Sequence, residues 1–156
     1  LTGCDQDFKC CGYISEDGIS FSKSESSEAV KAWGGVVVKH LDGDFEDGFK
    51  LKYIEALNSE VLKEYYGEGA VTGTLETGIN VNVAPNNQDY KMIVIDMLLN
   101  KGKVLKRIVI PRCKVTKTSD VTYVDNKTIE YEVEYSCEEG YDDGSYHKEY
   151  IKKLGK

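Results

Sequence analysis

The stretch "KMIVIDMLLNKGKVLKRIVIP" (91–111) decides the fold class. Its two nearly continuous apolar runs, 91–99 and 104–111, have the character of strands covered on both faces. Between them "NKG" (100–102) is a hairpin turn in which glycine supplies the unusual backbone angle, so the two runs are expected to pair. Pro111 then poses a problem, because it has no N–H to give to a ladder and is tolerated at an edge or a bulge. The segment carrying Arg107, Pro111 and Arg112 is therefore read as a candidate edge strand, with Pro111 marking where pairing inside the chain stops.

Outward from this hairpin the dominant pattern is alternation, the signature of half-buried strands. "FKLKY" places Phe49, Leu51 and Tyr53 on one face and two lysines on the other. "IEYEVEYSC" sets Ile129, Tyr131, Val133, Tyr135 and Cys137 opposite Glu130, Glu132 and Glu134, and "INVNVA" alternates Ile79, Val81 and Val83 with asparagine. Turn chemistry recurs at short spacing, which predicts a mainly β chain arranged as a β-sandwich or open barrel. One flanking helix is expected at about 58–66, within "NSEVLKEYYGEG": Asn58 caps it, Glu60 sits at the positive end of the dipole, and Gly67 closes it. A stripe of Val61, Leu62, Tyr65 and Tyr66 would hold this helix on a sheet. "SSEAVKAW" (26–33) reads as a further helical turn or two, burying Val30 and Trp33.

The 156 residues suit a single domain, 1–156, with no repeat, linker or low-complexity tract. No run approaches the ~20 apolar residues that span a bilayer, and the N-terminal stretch lacks a basic segment followed by an apolar one. A protein made in the cytoplasm, with no membrane partner, is the expectation. The five cysteines are an odd number in a chain large enough to need no staples, which favours thiols over a disulfide framework.

Reading for catalysis returns little: no G-x-S-x-G elbow, no P-loop and no H-E-x-x-H. "DGDFEDG" (42–48) resembles a calcium loop only until its sixth position, Asp47, where glycine is required, and its twelfth, Tyr53, where glutamate is. His40 and His147 stand alone. No catalytic, metal or cofactor site is assigned, and a hydrolase reading would rest on carboxylate abundance alone. The net charge of −7, clustered at 15–18, 42–48 and 130–144, opposes nucleic-acid gripping, which needs Lys and Arg on phosphates.

Four segments, "GYISEDGISF" (12–21), "EAVKAWGG" (28–35), "FKLKYIEALNSEVLKEYYGEG" (49–69) and "RIVIPRCKVT" (107–116), resemble in their order and spacing the major tail tube proteins of long-tailed, non-contractile bacteriophages. The likeness runs from about Phe8 to Ile151, without an added immunoglobulin-like domain. It implies a structural protein of the virion tail, with copies joined as hexameric rings stacked into a tube that delivers the genome. It also implies contact with the tape measure, tail tip and terminator proteins, transient passage of double-stranded DNA, and no cofactor. The fold resembles those of contractile-tail and type VI secretion tubes as well.

Within that frame Glu130, Glu132 and Glu134 are candidate lumen-facing residues, since carboxylates leave duplex free to slide. The competing reading pairs them across strands with Lys50 and Lys52, at roughly 0.2–1 kcal/mol per pair. A candidate inter-ring loop comprises Leu41, Asp42, Gly43, Asp44, Phe45, Glu46, Asp47 and Gly48. The alternative function is a β-sandwich module that binds a receptor or glycan through exposed tyrosines.

Overall fold

Backbone pairing follows the alternation. A computed structural model describes residues 7–85 and 88–154, and the elements are mainly strands: β1 (Ile14–Lys31), β2 (Val37–Tyr53), β3 (Val71–Thr72), β4 (Asn80–Val81), β5 (Lys91–Leu99), β6 (Val104–Thr118), β7 (Tyr131–Cys137) and β8 (Lys148–Lys153). Among the described residues one α-helix, α1 (Ser59–Tyr66), and a short 3-10 turn at Glu68–Ala70 lie between β2 and β3. The strand order is β1-β2-β7-β6-β5, with β8 on β6 and a separate β3-β4 pair. By their contacts the residues group into two compact units, described in turn.

The first unit comprises 1–20, 50–90 and 114–135. Its core is built by the alternating segments: Leu51, Tyr53, Tyr131, Val133 and Tyr135 are all buried. Helix α1 starts as the sequence predicts, with the Asn58 side chain accepting from the Glu60 N–H at 3.0 Å and Glu60 in the first turn. Val61 and Leu62 are its buried stripe. Glu64 ties the helix to the sheet, accepting at 2.7 Å from the Tyr135 hydroxyl, which also lies 2.9 Å from the Tyr53 hydroxyl. Burial, with Tyr53 and Glu64 close by, raises the Tyr135 phenol well above its usual range. Tyr135→Phe removes a buried bond to a charged group and is expected to cost about 1.5–3 kcal/mol in urea unfolding. A loss below about 0.5 kcal/mol would show that this link does not hold the helix.

"INVNVA" does not become the half-buried strand that its alternation suggests. Only Asn80–Val81 pairs, with Val71–Thr72, and Val83 is exposed. Alternation alone cannot extend a strand that has no longer partner to pair with.

The second unit comprises 21–49, 91–113 and 136–156. The hairpin read from 91–111 is present: β5 and β6 run antiparallel from Leu99↔Val104 to Ile93↔Ile110, around a turn in which Asn100, Lys101 and Gly102 all have positive φ. Ile108, Ile110 and Cys113 are buried in the core with Phe49. β6 is not an edge. β5 lies on one side of it, and β8 lies on the other, pairing with residues 104–109. Pro111 instead falls at an irregularity, where two steps on β5 (Lys91 to Ile93) match three on β6 (Cys113 to Ile110). The missing N–H is thus accommodated by a bulge. A Cβ on Gly140 would lie 2.5 Å from Pro111 Cγ, so the proline ring rests directly on that backbone.

Two further expectations are revised. β5 is not covered on both faces, since Met92, Leu98 and Leu99 are exposed. Residues 26–33 are not helical: they form the end of β1 and the turn into β2, and Val30 and Trp33 are exposed rather than buried. The turn is fixed by Ala32 N–H to Val36 O at 2.8 Å, with Gly34 and Gly35 both at positive φ. In "SSEAVKAWGGVVVKHL" the glycine pair is a hairpin signal, and serines recurring at every second position from Ser20 to Ser26 are a strand signal.

Candidate assembly surfaces

Edges are the chemistry of this molecule, because unpaired N–H and C=O rows recruit further chains unless charge or proline blunts them. Among the described residues β1, β5 and β8 each have a single strand neighbour. β8, "KEYIKK", carries three lysines, and the outer half of β1 is polar and charged. β5, "KMIVIDMLL", has nine residues and only Lys91 and Asp96 as charges. Asp96 is held by its register partner: Arg107 Nε and Nη2 each reach a carboxylate oxygen at 2.6 Å. Hydrogen bonding from Arg107 lowers the Asp96 carboxyl below its usual range. Arg107 therefore neutralises the one acid on β5. It does not blunt its own strand.

The other residues singled out from sequence fall as follows. Arg112 pairs with Glu138 at 2.8 Å, beside the bulge. Glu132 and Glu134 lie on the face of β7 opposite its buried residues. Lys52 reaches Glu130 at 3.8 Å and Glu132 at 3.9 Å, while Asp17 is its closest partner at 2.7 Å, and the Ser119 hydroxyl donates to Glu132 at 2.8 Å. The cross-strand pairing weighed for Lys52 is thus present for two of the three glutamates. At these exposures such pairs contribute roughly 0–1 kcal/mol each.

Residues 41–48 are not a loop but an internal stretch of β2. Leu41, Asp42, Gly43 and Asp44 are exposed, Phe45 is half-buried and Glu46 exposed, whereas Asp47 and Gly48 are buried. Asp47 lies 2.5 Å from His147 Nδ1, whose ring packs tilted against Phe21 at 5.3 Å between centroids. That pair spans 100 positions, so spacing could not reveal it. Cys10, Cys11, Cys113 and Cys137 are thiols; burial, then the charge of Asp47, pushes Cys137 up to about 12. Cys4 lies outside the described residues.

From Ser22 to Asp44 the paired β1 and β2 strands form a ribbon open to solvent along nearly its whole length, with Trp33, Val36, Val37 and Val38 exposed at its turn. Two-stranded hairpins without a packed face are marginal in water. Neither the apolar edge of β5 nor the turn of the ribbon is covered by other described residues.

No group of metal-binding side chains occurs among the described residues, and no helix there is long and apolar enough to cross a membrane. A family model described as phage tail tube protein matches residues 2–152, nearly the whole sequence. The chain belongs to the phage tail tube protein family. It is a structural, self-associating component of the virion tail, and its family points to a non-enzymatic role. No curated protein matches the sequence.

Proposed function

We propose that residues 1–156 act as one tail tube domain, six copies of which close into a ring, with rings stacked as the conduit for genome delivery. The observation that carries this reading is the bare β5 edge beside two edges protected by charge. A head-to-tail seam joins two different edges and closes into a ring when the rotation per copy is right. Closure removes exposed edges altogether. Subunits made in the host cytoplasm would meet the tape measure, tail tip and terminator proteins during tail assembly, and double-stranded DNA would pass through the finished bore.

Negative-stain microscopy of the concentrated protein tests the reading. Hollow tubes or six-fold rings of uniform width are expected, and assembly should depend on salt and concentration. Dispersed monomers at every concentration, with or without tail-tip material as a seed, would favour a monomeric binding module.

Glu130, Glu132 and Glu134 are assigned to the lumen face of this tube. Changing all three to lysine should leave folding within about 1 kcal/mol of the parent, since the pairs they make are exposed. Genome ejection should nonetheless slow, because a cationic wall binds the phosphates, releases their counterions to solution and holds the duplex. Virions with the triple change and normal ejection kinetics would remove these residues from the bore. The exposed ribbon 22–44, rather than a loop at 41–48, is assigned to contacts between rings.

A further inference from the structure

We infer that the Trp33 turn of one copy seats in a tyrosine-walled groove of a second copy, an assignment that rests on the tube reading above. Trp33 is 105% exposed, with Val36 at 66% and Val38 at 62%, an apolar turn that no residue of its own unit covers. The groove lies in the first unit, has a volume of about 540 Å³, and is walled by Tyr65, Tyr66, Val121 and Tyr123, with Lys114 and Lys117 among its lining. Tyr65 meets Tyr66 edge to face at 4.8 Å. Burial first, then Tyr123, raises the Tyr66 phenol to about 12, so its hydroxyl stays neutral near neutral pH.

Two complementarities select a sister copy as the occupant. Indole is the best ring for a lysine ammonium to lie over, and Lys114 already stands 5.6 Å from the Tyr90 centroid. Charge agrees as well. The groove lining carries lysines and no carboxylate, in a protein of net charge −7. The ribbon from Ser22 to Asp44 carries Glu25, Glu28, Asp42 and Asp44 against Lys23, Lys31 and Lys39. An acidic ribbon with an aromatic tip is what such a groove would draw in.

Trp33 is the chain's one tryptophan, so its fluorescence reports the surroundings of this turn alone. Emission and acrylamide quenching should be followed across a concentration series, with microscopy of the same samples. On assembly the emission should shift to the blue and quenching should be largely lost. Tyr123→Ala and Lys117→Glu, both at the groove, should each return Trp33 to the quenching of the dispersed chain. Tubes in which Trp33 stays fully quenchable would overturn the inference and leave the tube reading intact. Protection that survives both substitutions would overturn the groove as the seat. No assembly under any condition would overturn both.

Discussion

Truncating Ile110 to alanine is expected to destabilise the protein by about 2–5 kcal/mol, in the upper part of that range, read as a lowered urea midpoint at unchanged slope. The side chain is wholly buried and faces Ile93 across the β5–β6 ladder. Its loss removes transfer free energy and leaves a cavity whose cost depends on how far the surroundings relax. Relaxation is restricted here. Pro111, the next residue, is wedged against the Gly140 backbone so closely that even a methyl group would not fit between them. β6 also has strand neighbours on both sides, so it cannot shift sideways without breaking two ladders. Had this been the edge strand suggested by its proline, the same change would cost far less, because an edge yields. A loss below about 1 kcal/mol would restore the edge reading. Leu98→Ala on the exposed part of β5 is the control, expected within about 0.5 kcal/mol.

This case also shows which parts of the molecule were legible in the sequence. Local rules sufficed where a residue's role is set by near neighbours: Asn58, Glu60 and Gly67 frame α1, "NKG" makes the β5–β6 turn, and the alternation at 49–53 and 131–137 places the core. Rules failed where the deciding partner is distant. Pro111 indicated an edge or a bulge, and only the strand order excludes the edge. The apolar composition of β5 reads as two covered faces, yet within one chain part of it is bare, because composition does not say which residues a chain covers for itself. Trp33 and Val30 invited a buried helix for the same reason: periodicity carries no information on whether an apolar residue is covered within its own chain. The His147–Asp47 contact has no local signature at all.

The bare part of β5 makes the sharpest expectation about assembly. Lysine at positions 92 and 98, Met92→Lys with Leu98→Lys, should raise the concentration needed for tube formation by about one to two and a half orders of magnitude while leaving the subunit folded. Both side chains are exposed in the single chain, at 49% and 67%, so their replacement removes nothing from its core. If β5 forms the seam, the exposed part of each would be buried on assembly, worth about half of the 1.5–3 kcal/mol of full burial for Met92 and about two thirds of it for Leu98. Together they supply about 1.7–3.5 kcal/mol, which at 1.4 kcal/mol per tenfold gives the stated range. Lysine adds a second effect, since it is the residue with which sheets protect an edge, and β8 already carries three. Sedimentation and electron microscopy would follow assembly, and thermal unfolding would follow the subunit. An unchanged melting temperature with no tubes at parental concentrations is the expected pair of results. Tubes forming at the parental concentration would move the seam to β1 or β8, whereas a lowered melting temperature would mean that Met92 and Leu98 are already covered within the subunit.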